Sequence, residues 1–144
     1  MAKAIFTTKV SPTYDDRPEE RYQFPKTYLN YVERTVGDHI IYYEPRRSDA
    51  NDSSRGGRQA YFATARVDGV IEDTTMSGHF YALIAPLSYL DFDKAVPFIE
   101  GRQYFESALM KADGSTNRGA FGRAVRLLPD TEFDLILRAG FAGS

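Results

Sequence analysis

RYQFPKTYLNYVERTVGDHIIYYEPRR, residues Arg21 to Arg47, decides the fold class. The stretch begins aromatic, and Phe24-Pro25 predicts a helix start, because proline fits a first turn in which its missing N–H is not needed. Tyr28, Leu29, Tyr31 and Val32 then recur at roughly helical spacing, and Gly37 ends the pattern. Asp38 to Glu44, DHIIYYE, changes period and reads as a β-branched and aromatic strand. Successive strand side chains point to opposite faces, so Tyr42 and Tyr43 belong to different sides of whatever sheet they join.

Outward from this run, more strands appear than helices. AKAIFTTKV at residues 2–10 reads as a strand, and SPTYDDRPEE at 11–20 as a polar loop. AYFATARVDGVI (60–71) and HFYALIAPL (79–87) are clear strands, and YLDFDKAVPF (89–98) is an extended segment with period-2 character. Residues 104–123 read as partly helical or irregular, and GRAVRLLP (122–129) as a short strand. The last helix is the best marked. Asp130 or Thr131 serves as N-cap, Glu132 and Asp134 suit the positive end of the dipole, and Phe133, Ile136 and Leu137 form the buried face. Gly140 reads as its stop. Strands with a helix near each end predict one α+β domain over residues 1–144, built on a curled sheet or small barrel.

Composition narrows the chemistry. The chain has 144 residues and no cysteine, so a core must form without disulfides, and thiolate catalysis and Cys-based zinc sites are excluded. The net charge of −2 argues against nonspecific coating of nucleic acid. Arg46, Arg47, Arg55 and Arg58 nevertheless crowd a Ser, Asp, Asn and Gly-rich loop between two strands, either a solvated loop of mixed charge or a binding loop. No apolar run approaches the length of a membrane span and no signal-like segment opens the chain, so a cytoplasmic protein without a membrane partner is expected.

Catalytic patterns are sparse. His39 and His79 stand in no metal-ligand spacing, no GxSxG or SxxK occurs, and NRGAFGR lacks the features of a phosphate loop. Asp91 and Asp93 alternate on one face of an extended segment, the pattern of a solvent-facing edge as well as of a two-metal site. A hydrolase would need Asp91, Asp93 and His79 to converge in one cleft. The sequence therefore predicts no catalytic residue, no metal and no cofactor. Aromatic faces beside guanidinium groups suit a different task, holding a flat, extruded nucleobase while neutralising phosphates.

The strings YQFPKTYL (22–29), GDHIIYYEPRR (37–47), GRQAYFATARVDGVIED (57–73), YLDFDKAVPF (89–98) and AVRLLPDTEFDLILRAGF (124–141) together resemble the N-terminal domain of a family of predicted HNH restriction endonucleases. That domain is similar in layout to the PUA-like superfamily, whose EVE and SRA members bind modified nucleobases in DNA. The resemblance implies a PUA-like fold and a modification-dependent DNA-binding function, with the base flipped into a pocket. Its walls would come from Tyr22, Phe24, one of Tyr42 and Tyr43, and His79 or Tyr81. Lys26, Arg46, Arg47, Arg55 and Arg58 would meet phosphates, which position a duplex without specifying it. The implied partners are duplex DNA carrying a modified base and an HNH nuclease domain in a longer protein. Two departures stand out: the chain has no tryptophan, so stacking falls to Tyr or Phe, and the HNH domain is not in it. A standalone reader and a piece ending at a domain boundary are both expected forms. The alternative reading is an RNA- or small-molecule-binding PUA-like regulatory module.

Overall fold

The computed structural model describes residues 2–8, 17–45 and 59–142. In chain order its elements are β1 (Lys3–Thr7), β2 (Arg21–Pro25), α1 (Leu29–Thr35), β3 (His39–Glu44), β4 (Ala60–Glu72), β5 (His79–Ile84), β6 (Leu90–Pro97), β7 (Ile99–Glu100), β8 (Gln103–Tyr104), α2 (Arg118–Phe121), β9 (Val125–Leu128) and α3 (Asp130–Phe141). The main sheet runs β2-β5-β4-β3-β1-β9, with β6 also on β4, and β7 pairs with β8 separately. β1 and β3 are parallel, and the other pairs are antiparallel.

β4 organises the curl. Its first half pairs with β3 on one side and β6 on the other, and its second half pairs with β5. β5 and β6 thus follow one another along the same edge of β4. Between them the register shifts at Val67/Gly69, a bulge of the kind that bends a strand and sharpens its twist. The bend carries β2 over the face of β1, where the Tyr22 and Phe6 rings stack with centroids 4.6 Å apart. The result is an α+β fold on a mixed, curled sheet that does not close into a barrel.

Strand alternation divides the apolar residues between two cores. Inside the curl lie Ala4, Phe6, Tyr22, Phe24, Ile40, Tyr42, Ala63 and Ala65, closed at one end by Val32 of α1. On the other face lie Ile5, Ile41, Tyr43, Tyr61, Phe92 and Val96, covered by Phe133 and Ile136 of α3. Each fully buried large side chain contributes about 1.5–3 kcal/mol from area alone.

Three sequence expectations change. Phe24 and Pro25 close strand β2 rather than open a helix. A 3-10 turn, Lys26–Tyr28, intervenes before α1. β2 is the last strand in the sheet, an edge position where a proline's missing donor is tolerated. Tyr31 turns away from the α1 stripe and is exposed. Gly140 does not stop α3, which runs on to Phe141. A Cβ at Gly140 would stand 2.3 Å from the Phe92 ring, so glycine is there to let the helix approach the sheet.

Candidate functional site: an aromatic cavity beside β3 and β4

The tyrosines expected to line a pocket are core residues. Tyr22, Phe24, Tyr42 and Tyr43 all have 0% exposure. Tyr22 donates its hydroxyl hydrogen to Thr7 O at 2.8 Å, and Tyr42 donates to Pro18 O at 2.9 Å, so both polar tips are occupied inside the curl. Tyr43 does point opposite to Tyr42, but that face is covered too, and neither ring opens to solvent. The expected choice between them assumed that one sheet face was free.

The remaining expected residues do not join them. Gln23, Pro25, His79 and Tyr81 alternate out of register with Tyr22 and Phe24, on the outer face of β2 and β5. There the Arg21 guanidinium lies 4.5 Å from the Tyr81 ring, and His79 Nδ1 is 3.1 Å from Ser77 O. Lys26 is exposed. Arg46, Arg47, Arg55 and Arg58 lie outside the described residues.

Asp91 and Asp93 are exposed on β6, flanking the buried Phe92, and Asp91 accepts a hydrogen bond from the Tyr89 hydroxyl at 2.8 Å. Asp91 pairs with Ala63 of β4, whereas His79 O accepts from Asp73 N just past its other end. At about 3.3 Å per strand residue, roughly 30 Å of β4 separates them, and the hydrolase cleft does not form. Among the described residues no group of three or more His, Asp or Glu side chains is placed to hold a metal ion.

A different concavity gathers aromatic and cationic groups. It encloses about 330 Å³ and is lined by Pro45, Gln59, Phe98, Thr116, Arg118, Phe121 and Gly122. Pro45 follows β3 and Gln59 precedes β4, so the adjoining ends of these two paired strands form one wall. Phe98 comes off the end of β6, its backbone N–H donating to Gln59 O at 3.3 Å. Its ring meets Phe121 edge to face, with centroids 4.7 Å apart. The short helix α2 holds Phe121 and Arg118 in place, and the Asn117 side chain caps it by accepting from Ala120 N at 3.2 Å. Arg118 is exposed and has no carboxylate partner among the described residues.

Behind Phe121 the core carries charge. The buried Arg126 guanidinium grips Glu106 through two bonds, Nε to Oε1 at 2.9 Å and Nη2 to Oε2 at 2.8 Å. Tyr61 donates its hydroxyl hydrogen to the same carboxylate at 2.6 Å, and Arg126 Nη1 donates to Phe121 O at 3.3 Å. Burial alone would lower the pKa of Arg126, but the Glu106 carboxylate outweighs it and raises the value above that of a free guanidinium. Burial, reinforced by Glu106, pushes the Tyr61 phenol far above its ordinary range. The Tyr43 ring packs between Tyr61 and Phe121, at 5.3 and 5.6 Å, and its buried hydroxyl has no hydrogen-bond partner among the described residues.

Such a cavity offers ring faces for stacking, a guanidinium for an anion and a carboxamide for an edge. Sequence reading missed it because Phe98 lies one residue past a strand and Phe121 lies in a stretch without clear period. The one available signal was Asn117, a cap residue placed before Arg118-Gly119-Ala120-Phe121.

No family model matches this chain, and no curated protein matches it. The fold is shared with a solved structure, the NMR structure of Rpa0253 from Rhodopseudomonas palustris. The match has a TM-score of 0.60 at 11% identity and covers 97% of this chain and 93% of that one. At that identity the likeness speaks for the fold alone. No helix among the described residues is long and apolar enough to cross a membrane.

Proposed function

We propose that this chain is a DNA-recognition module that holds an extruded, modified base in the cavity of Phe98 and Phe121. The observation that carries the reading is the place of that cavity: its wall residues Pro45 and Gln59 are the sequence neighbours of Arg46 and Arg58. One site then combines ring faces with the exposed Arg118. The base contacts pass from the buried tyrosines to the two phenylalanines, and the phosphate role stays with the arginines. A volume of about 330 Å³ is at the small end of ligand cavities, which run from about 300 to 1,000 Å³, and suits one flat ring system better than a peptide.

Extruding a base costs a few kcal/mol, and stacking on an aromatic ring returns about 1–3 kcal/mol. The remainder falls to edge hydrogen bonds and phosphate contacts. The resemblance to recognition domains of HNH endonucleases makes a nuclease domain the natural partner in a longer protein. The same cavity is also open to a free planar ligand or to RNA. The net charge of −2 favours that second reading, because it supplies little long-range attraction to a duplex.

Fluorescence anisotropy on matched duplexes tests the proposal, using unmodified DNA and DNA carrying methylcytosine, hydroxymethylcytosine or methyladenine, at two salt concentrations. We expect one mark to bind at least about tenfold tighter, a difference of about 1.4 kcal/mol. That binding should weaken with salt and be lost in Phe98→Ala. Equal, weak binding to every duplex would discard the DNA reading in favour of RNA or a small planar ligand.

A further inference from the structure

We infer that Arg126 is a positioning residue for the cavity: anchored on Glu106, its guanidinium holds the carbonyls at the end of α2 and so fixes where Phe121 and Arg118 stand. The inference rests on the cavity being the binding site, and it identifies what shapes one of its walls.

α2 does not hold itself. Its four residues, Arg118–Phe121, make one turn, and none of them is fully buried. Isolated helices need about 12–15 residues to be stable in water, so a single turn depends on what ties its ends. Asn117 ties the first end, its side chain accepting from Ala120 N and its own N–H donating to Leu109 O at 2.6 Å. At the other end, the carbonyls that a helix leaves over need donors. Arg126 Nη1 donates to Phe121 O and to Arg123 O, each at 3.3 Å, with a longer bond of 3.4 Å to Thr7 Oγ1.

The guanidinium that does this is itself fixed. Its Nε and Nη2 face the two oxygens of Glu106, and only 4% of the Arg126 side chain is exposed. A guanidinium is planar, so holding two of its nitrogens sets the third, Nη1, against the α2 carbonyls. Glu106 is tied in turn. Tyr61 of β4 donates to its Oε2, and the next residue, Ser107, donates its N–H and hydroxyl to Glu132 of α3 at 3.1 and 2.7 Å. One chain of contacts thus runs from β4 and α3 through Glu106 and Arg126 to the end of α2. A buried ion pair often stabilises a fold no better than apolar side chains of similar volume. What apolar side chains could not supply here is the fixed donor at Phe121 O and Arg123 O.

Two measurements on the full chain test this: amide hydrogen exchange by NMR, and anisotropy with duplexes carrying methylcytosine, hydroxymethylcytosine or methyladenine. The variant is Glu106→Leu with Arg126→Met, which removes the clamp without orphaning a charge. The amides of Phe121, Gly122 and Arg123 bond Asn117 O, Arg118 O and Ala120 O, and they should exchange at least about tenfold faster than in wild type. The amides of β3 and β4 should change by a smaller factor, whereas a loss of global stability would show in the strands. The duplex that wild type binds best should bind at least about tenfold more weakly. Where the double variant does not fold, Arg126→Lys gives the same comparison, because it keeps the charge beside Glu106 and loses the planar fork. Amides at the end of α2 that exchange as in wild type would overturn the role of Arg126. So would faster exchange there with duplex binding unchanged, while Phe98→Ala judges the cavity separately. A wild type that binds no duplex overturns the DNA reading alone, and the exchange rates then decide the clamp.

Discussion

The two cores, one on each side of the same strands, differ in how they treat polar atoms. Inside the curl the aromatic residues are Phe6, Tyr22, Phe24 and Tyr42, and the hydroxyls of both tyrosines reach backbone carbonyls at the rim. Beneath α3 the sheet buries an ion pair, a tyrosine bound to it and a second tyrosine whose hydroxyl has no partner among the described residues. The first core is complete, and the second carries unpaid desolvation against the wall of the cavity. Buried charge gathers on the side where Phe121 lines the cavity, away from the first core.

The sharpest way to break the contrast is to orphan the buried charge. Glu106→Ala should lower stability by about 3–5 kcal/mol in urea unfolding, because Arg126 would stay buried without a counterion. Replacing both partners, Glu106→Leu with Arg126→Met, should cost much less than either single change. Next in size, Gly140→Ala drives a methyl group into Phe92 and should cost about 1–3 kcal/mol, despite alanine's better helix propensity, as a lower Tm.

Removing single hydroxyls tests the two faces directly. Tyr22→Phe and Tyr42→Phe should each cost about 1 kcal/mol, whereas Tyr43→Phe should be neutral or stabilising. Opposite signs for neighbouring tyrosines would establish the difference between the cores; equal losses would erase it.

The smallest effect is on pH. Burial pushes the Asp38 carboxyl up, but the His39 N–H and the Lys3 ammonium at 3.0 Å outweigh it and hold its pKa below the ordinary value. The Thr75 hydroxyl and backbone N–H, with Gln23, do the same for Asp73. Both folded values are depressed, so the stability these groups add is fully present above about pH 4 and fades as pH falls through the lower folded values. Urea unfolding between about pH 2 and 6 should show a shallower acid dependence in Asp73→Asn than in wild type.

Much of the fold was legible. The β-branched and aromatic runs at β3, β4 and β5 and the apolar stripe of α3 were visible because each is a composition or pattern within one segment. What escaped reading depends on distant partners. β2 is a strand because β5 lies beside it, and Gly140 is fixed by Phe92, far away in the chain. Tyr42 and Tyr43 could be assigned to opposite faces, but no local pattern reveals that both faces are covered. Nothing local marks Arg126 as buried, and only its pairing with the distant Glu106 explains why it is. The cavity was illegible for the same reason, since Gln59, Phe98 and Phe121 meet only after the sheet has bent.

The placement of β1 has a consequence for how the chain is made. This strand is synthesised before the other strands of its sheet, yet it sits between β3 and β9, and β9 is the last of those strands to be made. Until β9 is made one edge of β1 has no native partner, and its parallel pairing with β3 must wait for the β2–α1 crossover to form. Pairings this remote close slowly and leave an open edge on the nascent chain, so chaperone dependence should concentrate there rather than at the short, proline-ended edge of β2.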